Sequence, residues 1–403
     1  MSSTAEQMRA WNGPPLLSFG FRPFFLGAAV WAVLIMVFWV LILSGLLTLR
    51  TAFDPVSWHA HEFLFGYLSA VVAGFLLTAV PNWTGRLPIV GWSLGALFAL
   101  WVLGRIAVSF SLMLPPLMVV VADLAMPVTL GLVLAREIIA GKNWRNLIVL
   151  GLLAVFAFAN GLFHWEAANG AYAAQGYGLR LGLGTGVMMI AVIGGRVVPS
   201  FTRNWLVKRS TGRLPTPPMQ RFDKVALLVM LAALLMWVVL PDYWIAGFAL
   251  LLAGILHAFR LARWAGYRTG AEPLVTVLHV AYGFVPLGSL AIGAEILWPG
   301  TLGTASAQHL WMAGAIGLMT LAVMTRATLG HTGQPLTAGA ATVAIYVSMI
   351  IAVLARIGAG YWPSDAVLLQ NVAGLGWILA FGGFVVVYGP LLLRLPADKR
   401  PGG

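Results

Sequence analysis

Long apolar runs follow one another along almost the whole chain, and they limit the possible folds more than any other feature. A helix needs roughly 20 apolar residues to cross the hydrocarbon layer of a membrane. Unpaired backbone N–H and C=O groups are costly in lipid, so such a run forms either a helix or part of a closed barrel. The runs lack the alternation of barrel strands. We therefore expect an all-α, polytopic membrane protein of about twelve transmembrane helices.

The predicted spans form a single transmembrane domain over residues 1–403. Charged residues make up only 9% of the chain and hydrophobic residues 60%, which leaves too little charge to cover the surface of a soluble domain. The predicted spans 1 to 12 lie near 24–47, 58–80, 90–110, 116–139, 144–167, 178–200, 222–240, 243–263, 273–298, 304–329, 337–359 and 366–395.

Basic residues are distributed unequally between the two predicted sides of the membrane. Of the 24 Lys and Arg residues, four (Arg50, Arg105, Arg180 and Arg356) fall on one side and the other 20 on the opposite side. Because cytoplasmic loops carry the excess of Lys and Arg, both termini are predicted to be cytoplasmic in a bacterial inner membrane. The same rule explains the net charge of +12 without a nucleic-acid partner.

A weak internal repeat relates spans 2, 6 and 10. Adding 248 to the numbers of five span 2 residues gives an identical residue at four of them, and adding 118 gives three matches in span 6. The four pairs are His61 and His309, Gly66 and Gly314, Thr84 and Thr332, and Gly85 and Gly333. Three copies of a four-helix unit would explain this spacing. His61 and His309 would then occupy equivalent positions.

Seven histidines are the candidate ligands for metals and cofactors. Neutral imidazole is the usual axial ligand of haem b and a good copper ligand. A lone histidine near a membrane interface is more often a hydrogen-bonded structural residue, so the grouping of these histidines carries the prediction. The outer group comprises His59, His61, His164 and His309, and the inner group comprises His257, His279 and His331.

His59 and His61 lie two residues apart at the outer start of span 2. Two helical residues are separated by about 200°, so a regular helix cannot direct both imidazoles to one metal. They would serve two centres, or one would ligate a metal while the other binds a haem propionate. Glu62 is a candidate for orienting an imidazole or carrying protons. The alternative is that Glu62 is an interfacial carboxylate that faces water and has neither function.

His257 and His279 lie at similar depth in consecutive spans, which is the arrangement that a haem with two imidazole ligands requires. A hydrogen bond at a helix interface would explain the same pattern.

Asp123 and Glu166 are further candidates for proton transfer. Arg180 is a candidate partner for a haem propionate or a phospholipid. The chain has no cysteine, which excludes iron–sulfur clusters and covalent haem attachment through CxxCH.

Several longer strings resemble the NnrS family, the haem- and copper-containing membrane proteins of the bacterial nitric oxide response. They are FRPFF at 21–25, WHAHE at 58–62, GFLLTAVPNWTGR at 74–86, GRVVPSFTRN at 195–204 and MTRATLGHTG at 324–333. The resemblance covers nearly the whole chain. It implies twelve helices, one or two haem b groups, copper as a further cofactor, and a role in tolerating or removing nitric oxide.

The fold also resembles the core shared by haem–copper oxidases and nitric oxide reductases, which has three four-helix units and haem-ligating histidines on its second and tenth helices. His61 and His309 fit that scheme, whereas span 6 has no histidine. The leading hypothesis is a haem-dependent enzyme that reduces nitric oxide to nitrous oxide with electrons from quinol or a periplasmic cytochrome. In this hypothesis, His61 and His309 hold the reactive centre, and His257 and His279 hold an electron-relay haem.

Two alternatives remain open from the sequence. One is a haem or copper protein that binds nitric oxide without turnover. The other is a small-solute transporter, since twelve helices with internal repeats are equally typical of that class.

Overall fold

The computed structural model describes residues 11–85, 88–209 and 211–394. Among these residues, twelve helices are long and apolar enough to cross a membrane. We number them α1 to α12: Phe21–Leu43, Pro55–Thr84, Trp92–Ser109, Pro116–Ala140, Trp144–Ala168, Tyr177–Leu206, Arg221–Val239, Trp244–Arg268, Pro273–Leu297, Thr304–His331, Ala340–Tyr361 and Pro363–Leu393. Each matches one predicted span, so the predicted all-α fold with twelve spans is confirmed.

Helices α2 and α6 are longer than predicted. Predicted span 2 ended at residue 80, but α2 continues through Pro81 to Thr84, and α6 continues through Pro199 to Leu206. A proline removes one backbone hydrogen bond from a helix interior, and transmembrane helices tolerate this where neighbouring groups compensate. The prolines therefore do not mark the helix ends.

A segment of π-helix interrupts α2, α6 and α10, the three helices that the internal repeat relates. The segments are Glu62–Tyr67, Ile190–Gly194 and Leu310–Leu318. Adding 248 to the number of Glu62 gives Leu310, so the segments of α2 and α10 begin at equivalent positions of the repeat. The segment of α6 begins later than the weaker offset predicts. Because π-helical turns are rare and occur frequently at functional sites, they indicate that these three helices carry functional residues.

The chain divides into two compact units. The first comprises the described parts of 1–182, 327–334 and 384–403, and the second comprises 183–326 and 335–383. In the first unit, α2 packs against α1 and α4, and α4 also packs against α3 and α5. In the second unit, α7, α8 and α9 pack in chain order, and α10 packs against α9 and α11. The single transmembrane domain stays a prediction.

Two polar side chains fix helix ends in the first unit. The Asp54 carboxylate accepts hydrogen bonds from the backbone N–H groups of Val56 and Ser57, both at 3.0 Å, and so determines where α2 begins. Arg22, in the FRPFF string, donates to the carbonyl oxygens of Leu392 at 2.9 Å and Arg394 at 2.8 Å. The Leu392 carbonyl lies in the last turn of α12 and the Arg394 carbonyl lies just after it, and both would otherwise lack partners.

Candidate functional site

Six buried polar side chains from α2, α3, α4 and α5 meet in the first unit. We call them the charged cluster, and each is between 0% and 4% exposed. Its members are His61, Glu62, Arg105, Asp123, Asn160 and His164. Burial of ionised groups is costly unless each is paired and hydrogen-bonded. The bonding within the cluster therefore decides what it can do.

Asp123, about two turns after the start of α4, is the centre of the charged cluster. Its Oδ2 atom accepts from His61 Nε2 at 3.1 Å, from His164 Nε2 at 2.9 Å and from Asn160 Nδ2 at 2.8 Å. Its Oδ1 atom accepts a hydrogen bond from Arg105 Nη2. Donors from three other helices thus converge on one carboxylate.

His61 is bonded to oxygen acceptors through both ring nitrogens. Its Nδ1 lies 3.1 Å from Glu62 Oε1, and its Nε2 lies 2.9 Å from Asn160 Oδ1 in addition to the contact with Asp123. Since Asn160 uses its amide nitrogen toward Asp123, its oxygen faces His61. Both imidazole nitrogens therefore donate, which makes His61 an imidazolium in this arrangement. With Arg105 it balances the two carboxylates.

Glu62 is held from three directions. Arg105 Nη1 donates to both carboxylate oxygens at 2.8 Å, and Trp31 Nε1 donates at 2.8 Å. The third donor is His61. Gly66 follows one turn later, and a Cβ atom there would lie 2.5 Å from Arg105 Nη1 and 2.7 Å from Glu62 Oε2. This position therefore has to be glycine for the ion pair to form as it does.

Three phenylalanine rings surround the imidazoles of the charged cluster. The His61 ring centroid lies 5.2 Å from that of Phe53, 5.5 Å from Phe65 and 5.4 Å from Phe163. The His61 and His164 rings are 5.0 Å apart. All three phenylalanines are buried. Apolar walls keep the surroundings of the ionised groups at low dielectric, which strengthens their interactions.

His59 points away from the charged cluster, as its spacing from His61 predicts. Its ring stacks on Trp39 at 4.2 Å between centroids and touches Phe63. His331, at the end of α10, is exposed and lies against Phe19 and Phe21 in the first unit. The structure thus gives His59 and His331 aromatic neighbours.

Glu166 and Arg180 stabilise the connection between α5 and α6. The Glu166 carboxylate accepts from the backbone N–H groups of Tyr177 at 2.6 Å and Gly178 at 2.9 Å, at the N-terminus of α6. A carboxylate is favourable there because of the unpaired N–H groups and the helix dipole. Arg180 donates to the Gln175 carbonyl and lies over the Tyr177 ring. Glu166 and Arg180, which were both predicted as site residues, therefore contact groups of the α5–α6 connection and the start of α6.

The second unit contains a separate buried network around His257. The His257 Nε2 atom donates to the Ala226 carbonyl at 3.2 Å, so its Nδ1 atom accepts from the Tyr282 hydroxyl at 2.9 Å. Arg260 donates to the Tyr282 oxygen at 2.8 Å and to Asp223 at 2.9 Å. In this arrangement His257 has no lone pair available for iron.

His279 and His309 have a different hydrogen-bonding pattern from His257. His279 Nε2 donates to Thr202 Oγ1 at 2.7 Å, because that hydroxyl itself donates to the Val198 carbonyl. The His279 Nδ1 atom has no hydrogen-bond partner among the described residues. His309 Nδ1 donates to the Ala305 carbonyl at 2.6 Å, which places the lone pair on Nε2. Such a bond fixes the tautomer and orientation that a ligating imidazole needs.

A possible metal-ligand group stands out among the described residues. One ligand atom each from His61, Asp123 and His164 lies within 4.8 Å of the others, and all three residues are buried.

A family model described as NnrS protein matches residues 15–395. The chain belongs to the NnrS family. No curated protein matches the chain. Membership fits a membrane protein of the nitric oxide response that binds a metal or haem, as the resemblance of the sequence implies.

The donors of this NnrS protein fit the expected groups. Two imidazoles and a carboxylate form a donor set for a transition metal ion once His61 and His164 release the N–H protons that they direct at Asp123. In the second unit, the His279 Nδ1 atom has no hydrogen-bond partner among the described residues, and an imidazole nitrogen of this kind is a suitable ligand for haem iron. These residues therefore fit both a metal ion and haem.

Sequence reasoning missed several parts of the site. Arg105 was counted only as an outer charge, yet it joins Glu62 to Asp123. Asn160 and the phenylalanines around His61 were also missed. For Arg105 a signal was present, because an arginine inside an apolar span needs a partner and Asp123 lies in the next span. An asparagine or a phenylalanine in such a span gives no comparable signal.

Proposed function

We propose that this NnrS protein reduces nitric oxide to nitrous oxide in the bacterial inner membrane, with both termini in the cytoplasm. The observation that carries the proposal is the charged cluster, in which two histidines and two acids lie buried between four helices of an NnrS chain. Ionisable groups at such a place are expensive and mark function more often than structure.

The surroundings of the charged cluster suit nitric oxide as a substrate. Nitric oxide is small, uncharged and weakly polar, so it enters the lipid phase and needs no aqueous channel. The rings of Phe53, Phe65 and Phe163 give the imidazoles an apolar boundary that admits such a molecule and excludes water. Water exclusion also strengthens every electrostatic interaction with a bound ligand.

The reaction combines two molecules of nitric oxide with two electrons and two protons to give nitrous oxide and water. Haem b and a further metal ion, when bound, supply the redox chemistry, with quinol or a periplasmic cytochrome as the electron donor. His61, His164 and Asp123 would hold the metal ion, and His309 is the candidate haem ligand. On binding the metal ion, His61 would lose its Nε2 proton and keep its Nδ1 proton, which would be shared with the Glu62 carboxylate 3.1 Å away.

The acids divide into two groups by their contacts. Glu62 and Asp123 lie within hydrogen-bond distance of His61 and can hold or pass protons there. Glu166 is bonded to the backbone of α6 instead, so we assign it no proton transfer. In place of the predicted catalytic function, Glu166 stabilises the N-terminus of α6.

The experiment is anaerobic assay of the purified protein with a chemical reductant and nitric oxide, followed by gas chromatography of nitrous oxide. Wild-type protein should form nitrous oxide over many turnovers. His164→Gln should reduce the rate at least about tenfold, because it removes an imidazole from the charged cluster. Asn169→Ala is the control, since this exposed residue lies on the surface just beyond the end of α5.

The outcomes separate the function classes. Spectral changes in proportion to added nitric oxide, without nitrous oxide, would indicate a binding protein and contradict the proposal. Colourless protein that gives neither response would favour a transporter. Equal rates in His164→Gln and wild-type protein would remove the charged cluster from the reaction.

A further inference from the structure

We propose that a membrane quinol binds at the end of the first unit where α1 begins and α10 ends, and that it donates the electrons of the proposed reaction. We call this place the α1–α10 site, and its members are Phe19, Phe21, Arg22, Thr328 and His331. The inference deepens the proposed function, on which it rests for the use of the electrons, by naming the class of electron donor and the residues that bind it.

Two buried phenylalanines and an exposed histidine form the aromatic part of the α1–α10 site. The ring centroid of His331 lies 5.3 Å from that of Phe19 and 5.4 Å from that of Phe21, and the two phenylalanine rings are 5.4 Å apart. Flat aromatic molecules prefer such edge and tilted contacts between rings. Because the imidazole of His331 is exposed, it can move aside and let a quinol ring lie against the two phenylalanines.

Thr328 supplies a buried hydroxyl group that has no hydrogen-bond partner among the described residues. It lies one turn before His331, so the two side chains share a face of α10. Thr320, Thr325 and Thr332 each donate to a carbonyl one turn earlier, which is a common bond for a threonine in a helix. The Thr328 hydroxyl does not make this bond, so it is available to a ligand.

Arg22 supplies a second buried donor. Its Nη1 atom is bonded to carbonyls at the end of α12, but its Nε atom has no partner in the part of the chain that the structure describes. Arg22 is 1% exposed, so bulk water does not satisfy this N–H group. A buried donor without an acceptor is costly, and folded proteins keep few of them. Oxygen atoms of a ligand would satisfy both Arg22 and Thr328.

The spacing of the polar groups suits a molecule with two oxygen atoms on opposite sides of one ring. The guanidinium carbon of Arg22 lies 5.8 Å from the Phe21 ring centroid, and the His331 ring centroid lies 5.4 Å from the same point, so the two polar groups are at most about 11 Å apart. A quinol that forms hydrogen bonds of about 2.8 Å through both oxygens spans a similar distance. One quinol hydroxyl can thus reach His331 while the other oxygen accepts from Arg22 or Thr328.

The electron and proton balance of quinol oxidation matches the proposed reaction. Oxidation of one quinol to the quinone releases two electrons and two protons, and the reduction of two molecules of nitric oxide to nitrous oxide and water consumes the same numbers. We assign His331 as the base, since a neutral imidazole accepts a proton near neutral pH. Because His331 is exposed, it can release the first proton to water and then accept the second. The electrons pass to the haem of the proposed function.

The position of the α1–α10 site favours quinol over a periplasmic cytochrome. The predicted topology puts the start of α1 and the end of α10 on the cytoplasmic side of the membrane. A periplasmic cytochrome acts on the opposite side, whereas a quinol is dissolved in the bilayer and reaches buried groups at helix ends. The two buried donors of the site therefore fit a quinol.

The α1–α10 site is separate from the charged cluster. Gly20, just before α1, packs against Leu77 of α2, which lies fifteen residues after Glu62. At a rise of about 1.5 Å per residue, this places the site roughly 20 Å from the charged cluster. Changes in the α1–α10 site should therefore leave the charged cluster intact.

The test compares quinols with a chemical reductant in the anaerobic nitrous oxide assay. Decylubiquinol and a short-chain menaquinol are the quinols, and ascorbate with a phenazine mediator is the chemical reductant. His331→Phe and Thr328→Val should each lower the rate with the better quinol about tenfold, because each removes a hydrogen bond to it, and leave the rate with the chemical reductant unchanged. Thr332→Val is the matched control, since the Thr332 hydroxyl is already bonded to the Thr328 carbonyl at 2.7 Å.

Binding is measured separately by the fluorescence quenching of 2-heptyl-4-hydroxyquinoline N-oxide, an aromatic quinol analogue. Wild-type protein and Thr332→Val should bind it equally, and His331→Phe and Thr328→Val about tenfold more weakly. In unchanged protein, a photoreactive azidoquinone should label the segments around Phe19 and His331, which keeps the proposal testable if the variants do not fold.

Three results would overturn the α1–α10 site. They are wild-type protein that binds no analogue, folded variants that all bind it equally, and labelling of other segments alone. Equal losses of rate with the quinol and with the chemical reductant would also overturn it, because they would show general damage instead of a lost donor site.

The failure of this inference and the failure of the proposed function are distinguishable. Protein that binds the analogue in the α1–α10 site but forms no nitrous oxide with any reductant would refute the proposed function and leave the quinol site. Protein that forms nitrous oxide with the chemical reductant, but neither binds the analogue nor oxidises a quinol, would overturn the quinol site and leave the function.

Discussion

Replacing Arg105 with methionine removes one of the two positive charges of the charged cluster. Arg105 is 4% exposed and donates to both oxygens of Glu62 at 2.8 Å and to Asp123. Methionine keeps much of the side-chain length and removes the charge. Two carboxylates then share the single positive charge of His61. Breaking a buried ion pair by removing one partner costs about 3–5 kcal/mol.

The remaining contacts of the acids set the size of this loss within that range. Glu62 retains bonds from Trp31 and His61, and Asp123 retains bonds from His61, Asn160 and His164. Because no acid is left wholly without donors, we expect a loss of about 3 kcal/mol, at the lower end. Adding Glu62→Gln to Arg105→Met removes the one excess negative charge and should restore about half of the loss.

The assay is unfolding of the purified protein by increasing mole fractions of sodium dodecyl sulfate, followed by far-ultraviolet circular dichroism. The chain lacks cysteine, so thiol-reactive dyes are unsuitable as the probe. A decrease of less than about 1 kcal/mol for Arg105→Met would refute the reasoning, since exposed pairs contribute that little. A double variant less stable than Arg105→Met would also contradict the charge balance.

Three further changes test other contacts by the same unfolding assay. Gly66→Ala should destabilise by about 1–3 kcal/mol because its Cβ would press on Arg105, whereas Gly151→Ala, with nothing within 4 Å, should be neutral or stabilising by up to about 1 kcal/mol; equal effects would contradict the crowding. Glu166→Gln should lower stability by about 0.5–2 kcal/mol through the N-terminus of α6 and leave metal content unchanged, and loss of metal would show a different function. Arg22→Met should cost about 1–3 kcal/mol because the end of α12 loses its charged donor, and an unchanged midpoint would refute this contact.

Apolar run length and helix periodicity were enough to predict the spans and part of the site. Every span is a helix, because in lipid a run of about 20 apolar residues has no other way to pair its backbone. The 200° separation of His59 from His61 also correctly placed them on different faces, one against Trp39 and one in the charged cluster. These properties depend on one helix alone.

Contacts between helices could not be predicted in the same way. Periodicity gives the depth of Asp123 and the face it occupies, but not which neighbouring helices present donors to that face. The π-helix that begins at Glu62 also changes the register of α2, and apolar pattern does not encode it. His257 shows the same limit, since its partner Tyr282 lies on α9 at a position that reads as ordinary apolar sequence.

The absorption spectrum of the purified protein, measured together with its total iron, tests the central claim most directly. We expect a Soret band that shifts when nitric oxide is added to the reduced protein. Colourless, well-folded protein without bound transition metal would contradict the redox function.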